Sequence, residues 1–288
     1  MAPPNPPQPP LALPSQEQLA RMEIWDSYFT AATNADGTRF AEELKQALPA
    51  IELASIRRLC VFLHVGLGTA DAATEERIRS HGESITAPLT HWPERLLGMI
   101  RLNANDVEGS LAAIDRWLGE GPMVGVYFPG GRLGALTCSH RNFDPLVERI
   151  AELNGVIMQH TWFKSAGRQY PGESTPSDLA ALARRHPQVN FLCAHAGGEW
   201  EQGVRAIRSS PNILAETSGF DPTAGFLEMA VRELGAERIV FGSHFPSRSL
   251  GTELGKVFGA RITDDDRRKI LGGNLRRLLA PILETKSK

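Results

Sequence analysis

The chain has 288 residues, of which 42% are hydrophobic, enough to build one large domain or two smaller ones. Its formal net charge of −2 argues against nucleic acid or an anionic membrane surface as a partner, because both attract concentrated positive charge. Since no apolar stretch approaches the roughly 20 residues that cross a bilayer, we expect a soluble protein.

Proline dominates the start of the chain, which reads MAPPNPPQPPLALPS. This segment lacks the basic start and the apolar centre of a signal peptide, so residues 1–20 are predicted to be a disordered or polyproline-type tail. Residues 21–288 are predicted to form one folded domain. The tail is also what removal of a leader would leave, so the expected location is cytoplasmic only if no leader was removed.

Short apolar segments alternate with longer amphipathic ones after the tail. Continuous apolar runs of this kind are typical of parallel strands that are buried on both faces. The predicted strands are 23–29, 57–65, 96–102, 123–128, 156–162, 189–195, 213–216 and 238–242, and helical patterns lie between them at 106–118, 174–186 and 221–234, with one more at 263–279.

Eight strands that alternate with helices predict an α/β fold, a single (β/α)8 TIM barrel. A doubly wound open sheet is the alternative. Its usual fingerprint is absent from the sequence, because the glycine-rich pieces HVGLGT and PGGRLG do not open a helix in the GxGxxG register.

Histidines follow three of the predicted strands directly. His160 ends the fifth strand, His195 ends the sixth and His244 follows the eighth, while His64 at the end of the second is a weaker fourth candidate. The carboxyl ends of barrel strands meet at one mouth, so we expect the first three side chains to share a site. Imidazole is the commonest zinc ligand, and three protein ligands plus water is the usual layout of a catalytic zinc site.

The pieces QHTW, CAHAGGEWE and FGSHFP, together with the terminal GGNLRRLL, resemble the amidohydrolase superfamily. The similar branch is amidohydrolase 2, whose members are similar to aminocarboxymuconate-semialdehyde decarboxylase. The resemblance implies a barrel that holds a divalent metal, usually zinc, and hydrolyses or decarboxylates a small molecule. It assigns His160 to a metal ligand and His195 to the histidine that polarises substrate or activates bound water.

The sequence departs from the family pattern at the expected metal. The family carries D-x-H-x-H at the end of strand one, but here Asp26 fits the aspartate and Tyr28 and Thr30 stand where two histidines are expected. His244 replaces the strand-eight aspartate, which in the family binds metal and acts as general base. The predicted fourth strand, MVGVYF, has no lysine, so a dinuclear centre bridged by a carbamylated lysine is excluded.

Two outcomes stay open from these residues. In the first, His160, His195 and His244 form a rearranged site for one divalent ion, with zinc expected, and His195 and Tyr28 act in catalysis while Asp26 is an alternative outer partner. In the second, no metal binds, and the barrel is a non-catalytic relative that binds a small molecule. The working hypothesis is hydrolysis of a small molecule, and decarboxylation is the alternative within the same family.

The segment HTWFKSAGRQYPGES, which follows the fifth strand, suits a lid over the mouth. Trp162 is predicted to contact the substrate, and Lys164 or Arg168 to hold a substrate carboxylate. A solvated loop is the competing interpretation. Association into a homo-oligomer is a further expectation, because exposed barrel helices commonly pair.

Overall fold

The structure is a computed structural model that describes residues 14–32, 38–64, 75–130, 136–164, 169–219 and 223–287. Its eight strands form one sheet in sequence order, and all neighbouring strands are parallel. They are β1 (Ile24–Ala32), β2 (Ile56–His64), β3 (Leu96–Arg101), β4 (Met123–Phe128), β5 (Val156–His160), β6 (Phe191–Ala194), β7 (Ile213–Glu216) and β8 (Ile239–Val240).

Helices precede, separate and follow these strands, which confirms the predicted (β/α)8 barrel. They are α1 (Gln16–Arg21), α2 (Thr38–Leu53), α3 (Glu75–His91), α4 (Val107–Ala113), α5 (Phe143–Glu152), α6 (Pro176–Arg185), α7 (Trp200–Ile207), α8 (Phe226–Leu234), α9 (Leu250–Phe258), α10 (Asp264–Arg268) and α11 (Asn274–Lys286). Strand β4 is buried along its whole length, as expected where side chains fill the barrel on one face and helices cover the other.

The barrel closes between β1 and the closing segment, residues 241–245, rather than through β8 itself. The backbone N–H of Ser27 donates to the carbonyl of Phe241 at 3.0 Å, and the N–H of His244 donates to the carbonyl of Tyr28 at 2.8 Å. Strand β8 is shorter than the predicted 238–242, because after Val240 the N–H of Phe241 leaves the sheet and donates to the carbonyl of Ile270 at 2.9 Å. This seam fixes His244 beside Tyr28.

Asp26 joins the two sides of this seam. Its carboxylate accepts the backbone N–H groups of Tyr28 and Ser243, both at 2.9 Å, and the hydroxyl of Ser243 at 2.5 Å. Asp26 is fully buried, and burial raises its pKa to about 7 even though the three donors lower it. The carboxylate that the family pattern identifies thus acts here as a clamp between β1 and the closing segment.

Asp26 is expected to make the protein less stable as the pH rises. Its pKa is higher in the folded chain than in the unfolded chain, so its contribution is fully present below about pH 4 and is lost as the pH rises through about 7. The free energy of unfolding should fall by about 2 kcal/mol between pH 5 and pH 7 from this group alone. Denaturant titrations of the wild type and of Asp26→Asn at several pH values measure how much of this change in the free energy of unfolding comes from Asp26.

The asparagine variant should show a correspondingly flatter pH profile, because it stays neutral throughout. Asp265→Asn is the matched control, since Asp265 is exposed on α10 and pairs with Lys269 at 2.9 Å. An Asp26→Asn profile as steep as that of the wild type would refute this role.

The N-terminal helix α1 begins inside the segment that the sequence analysis assigned to the tail. Ser15 caps it, forming a capping box with Gln18, and Leu19 is buried against the barrel. Residues 1–13, the rest of that tail, lie outside the described residues. None of the described helices is both long and apolar enough to cross a membrane.

Candidate active site

The three predicted histidines meet at the carboxyl end of the barrel. His160 is the last residue of β5, His195 follows β6 directly and His244 belongs to the closing segment. The ring centroids of His160 and His195 are 4.9 Å apart, and those of His195 and His244 are 5.3 Å apart. His195 is therefore the central member of the group, and it is 1% exposed.

Aromatic side chains surround these imidazoles. The ring of Tyr28 stacks on His244 at 4.7 Å and lies 4.8 Å from the ring of His195. Its hydroxyl is 3.1 Å from that of Tyr127. The ring centre of Trp162, the predicted substrate contact, lies 5.7 Å from that of His195 and 6.3 Å from that of His160. The mouth therefore offers flat, largely apolar walls with a few polar atoms, the usual make-up of a small-molecule site.

The imidazole of His195 has a defined orientation. Its Nδ1 atom lies 3.1 Å from the backbone carbonyl of Ser218 and 3.2 Å from the Ser218 hydroxyl. Because a carbonyl can only accept a hydrogen bond, Nδ1 is the protonated nitrogen, and Nε2 carries the lone pair. Burial, followed by the nearby charges of His160 and His244, lowers the pKa of His195 well below its usual value, so the ring is neutral.

Glycine is required where the chain passes the Nδ1 side of His195. Gly219 has a φ of 91°, and a Cβ atom built there would overlap Nδ1. A left-handed backbone costs a side-chain-bearing residue about 1–2 kcal/mol, and the overlap adds to that cost. The close approach of the backbone thus holds the imidazole in place.

Gly219→Ala is accordingly expected to lower the free energy of unfolding by about 2 kcal/mol or more, measured by denaturant titration. Gly255→Ala is the matched control, because Gly255 lies in α9 with open space around its Cβ direction. Alanine should stabilise that helix by about 0.5–1 kcal/mol. Equal effects at the two positions would disprove the close packing against His195.

Lys164, the predicted carboxylate ligand, is engaged elsewhere. Its ammonium lies 3.2 Å from a carboxylate oxygen of Glu173 and 4.4 Å from the centre of the Tyr170 ring. Its charge is therefore balanced within the loop that follows β5. Arg168, the other candidate, falls outside the described residues.

Arg101 is a site residue that the sequence analysis missed. It is the last residue of β3, and it is the register partner of Tyr127 on β4. Register partners on neighbouring parallel strands point to the same face, and Tyr127 meets Tyr28 inside the mouth, so Arg101 points there too. Its positive charge acts to lower the pKa of both tyrosines, against the raising effect of their burial.

Glu216 is the second residue that the sequence analysis missed. It is the last residue of β7, it is fully buried, and a Cβ atom on Gly242 would overlap its carboxylate. Burial raises its pKa to about 7, although hydrogen bonds from His195 and Ser218 lower it. Arg101 and Glu216 are both charged side chains at the carboxyl ends of strands, and that position is the signal by which the sequence could have identified them.

The described residues do not fit the divalent metal that the resemblance implies. Among them, no group of three or more His, Cys, Asp or Glu side chains is placed to hold a metal ion. Tyr28 occupies a family ligand position and pairs with Tyr127, while Nδ1 of His195 is bonded to Ser218. Of the two outcomes left open by the sequence, zinc on His160, His195 and His244 or no bound metal, these side chains favour the second, and no step below depends on a metal.

Metal analysis tests this mismatch directly. Protein purified without a histidine tag should contain well below one equivalent of zinc or manganese per chain, and added metal should not change its melting temperature. The reason is that the three-ligand minimum of a catalytic site is not assembled among the described side chains. Stoichiometric metal that is released by His160→Ala would contradict this expectation, and His91→Ala, on the opposite face of the barrel, is the control.

Fold and site together define a (β/α)8 barrel with histidines at the ends of strands five and six and in the closing segment after strand eight. The model of the family described as Amidohydrolase matches residues 63–280, which is most of the chain. The chain belongs to this family. No curated protein matches it by sequence.

Several solved structures share the fold. One is 2,6-dihydroxybenzoate decarboxylase from Rhizobium, at 16% identity and a TM-score of 0.71, covering 90% of this chain and 98% of that one. Another is 5-carboxyvanillate decarboxylase from Sphingomonas paucimobilis, at 15% identity and a TM-score of 0.69, covering 90% and 99%. A dihydroxybenzoic acid decarboxylase from a Polaromonas species, solved with manganese and 2-nitroresorcinol, has 18% identity and a TM-score of 0.70, covering 89% and 96%.

Proposed function

We propose that the protein decarboxylates a small aromatic acid that carries a hydroxyl group next to its carboxylate. The observation that supports this most is the neutral His195, whose unprotonated Nε2 belongs to a mouth walled by aromatic rings. The structurally similar decarboxylases act on dihydroxybenzoate and carboxyvanillate, which are hydroxylated aromatic acids. Decarboxylation is therefore favoured over the hydrolysis that the sequence first suggested.

In the proposed reaction His195 moves one proton. Its Nε2 takes the proton of the substrate hydroxyl, and the imidazolium then gives that proton to the ring carbon that bears the carboxylate. The bond between this carbon and the carboxylate breaks, its electron pair restores the aromatic ring, and CO2 leaves. One C–C bond is broken and one C–H bond is formed, and the phenolate product takes its final proton from water.

The low pKa of His195 suits the delivery of the proton to the ring carbon. An imidazole that is costly to charge becomes a strong proton donor once it is protonated, and protonation of a ring carbon needs a strong donor. The aromatic walls made by Tyr28, Phe62 and Tyr127 would strip water from the substrate carboxylate and favour its loss as neutral CO2. Arg101 supplies the positive charge that draws an anion into this apolar mouth.

A panel of substituted benzoates tests the proposal by CO2 release and product identity. We expect turnover of 2-hydroxy- and 2,6-dihydroxybenzoate, and none of 4-hydroxybenzoate or benzoate, because only an adjacent hydroxyl lies close enough for His195 to reach both that hydroxyl and the ring carbon that bears the carboxylate. Equal turnover of benzoate, or CO2 from no member of the panel, would overturn the proposal.

Hydrolysis is the second candidate, because an unprotonated Nε2 can equally take a proton from water. Aryl esters and lactones in water labelled with heavy oxygen separate the two reactions, since hydrolysis places the label in a new carboxylate and releases no CO2. Tight binding of hydroxybenzoates without any product would favour the non-catalytic relative instead.

A further inference from the structure

The carboxylate of Glu216 accepts hydrogen bonds from the backbone of His195 and from Ser218, the residue that contacts the His195 imidazole. One carboxylate oxygen, Oε2, accepts the backbone N–H of His195 at 2.8 Å. The other, Oε1, accepts the backbone N–H of Ser218 at 2.7 Å. His195 has a φ of 63° and Ala196 a φ of 43°, a backbone conformation that residues with side chains rarely adopt. Glu216 thus holds the first residue of a strained turn.

The same carboxylate orients the Ser218 hydroxyl. That hydroxyl donates to Oε2 of Glu216 at 3.0 Å, so its lone pairs are directed to its other neighbour, Nδ1 of His195 at 3.2 Å. Oε2 itself is 3.7 Å from Nδ1. With the Ser218 carbonyl at 3.1 Å, two acceptor oxygens of Ser218 lie within hydrogen-bond distance of Nδ1, and the negative carboxylate of Glu216 lies just beyond them. This arrangement favours a proton on Nδ1 and leaves Nε2 unprotonated.

We propose that Glu216, acting through Ser218, is a positioning residue that fixes His195 in the tautomer with the proton on Nδ1. Its catalytic consequence depends on the proposed function, because that reaction needs a lone pair on Nε2. The tautomer itself does not depend on that function, because it exists in the protein without substrate.

Other buried charges near this group are themselves paired. The ammonium of Lys256 lies 2.7 Å from the carboxylate of Glu253 on α9, and it donates to the carbonyl of Thr217 at 3.3 Å. Asp26 bonds to Ser243 across the barrel seam. Of these three carboxylates, Glu216 is the one that accepts hydrogen bonds from Ser218. Removing the Glu216 carboxylate therefore changes the surroundings of Nδ1 of His195 most directly.

Nitrogen NMR of the full chain tests the proposal without any substrate. Histidine labelled with ¹⁵N reports which ring nitrogen carries the proton, and loss of a signal set in His195→Asn assigns His195. At pH 8 the wild type should show the tautomer with the proton on Nδ1. Glu216→Gln should shift the tautomer ratio toward a proton on Nε2 by about tenfold, as expected for loss of a charge-assisted hydrogen bond network.

Matched variants keep the result interpretable. Glu173→Gln removes another buried carboxylate near the mouth, one that pairs with Lys164, and should leave the His195 signals unchanged. If Glu216→Gln does not fold, Ser218→Ala decides, because it keeps the carboxylate and the 218 carbonyl and must still shift the ratio. A proton on Nε2 in the wild type, or an unchanged ratio in the folded variant, overturns the proposal whether or not decarboxylation is found.

Discussion

His195→Asn is expected to reduce turnover of the best hydroxybenzoate by about a thousandfold, the middle of the range for general acid–base groups. Asparagine keeps a side-chain N–H that can donate to the Ser218 carbonyl, so the turn after β6 should survive. What it lacks is a nitrogen that can take up and return a proton. The loss should therefore appear in kcat rather than in KM, measured by CO2 release.

The control for this variant is His91→Asn. His91 is an exposed histidine at the end of α3, which places it at the face of the barrel opposite the mouth. It should keep wild-type turnover. Retention of more than about a tenth of the activity by a folded His195→Asn protein would refute His195 as the group that transfers the proton.

Arg101→Met is expected to lower kcat/KM for hydroxybenzoates by about 10- to 150-fold, mostly through KM. The range corresponds to the roughly 1.5–3 kcal/mol that a hydrogen bond to a charged group contributes. Methionine keeps the length and apolar packing of the arginine stem and removes only the charge. Arg101→Lys should recover part of the loss, because it restores the charge but not the bidentate geometry.

The barrel supplies a matched control at the other end of the same strand, just before it begins. Arg95 immediately precedes β3 and Arg101 ends it, so the two arginines lie at opposite faces of the barrel. Arg95 pairs with Glu52 on the face away from the mouth. Arg95→Met should leave KM unchanged, and a KM effect as large as that of Arg101→Met would show that global charge, not the mouth, governs binding.

Much of the fold could be predicted because the strands are buried on both faces. Runs such as MVGVYF are continuously apolar, and a (β/α)8 barrel is the compact way to cover both faces of eight such strands. The place at which the barrel closes could not be predicted. It depends on backbone hydrogen bonds between β1 and residues 241–245, which lie beyond the end of β8.

The three histidines of the site are predicted from the sequence, but the charged residues of the site are not. A single histidine at a strand end is weak evidence, but His160, His195 and His244 occupy equivalent ends of three predicted strands, and the structure brings their rings together. Arg101 and Glu216 occupy equivalent strand ends but have ordinary solvated interpretations there. The ion pair between Lys164 and Glu173 could not be predicted, because it depends on the path of the loop after β5, and a pattern of residues does not define that path.

Turnover of 2,6-dihydroxybenzoate in deuterium oxide tests the central claim most directly, because the proton that His195 delivers comes from an exchangeable hydroxyl. The account predicts released CO2 and a product with one deuterium on the carbon that lost the carboxylate. Recovery of a compound that still carries its carboxylate, with no CO2 released, would contradict the account. So would a decarboxylated product with no deuterium on that carbon.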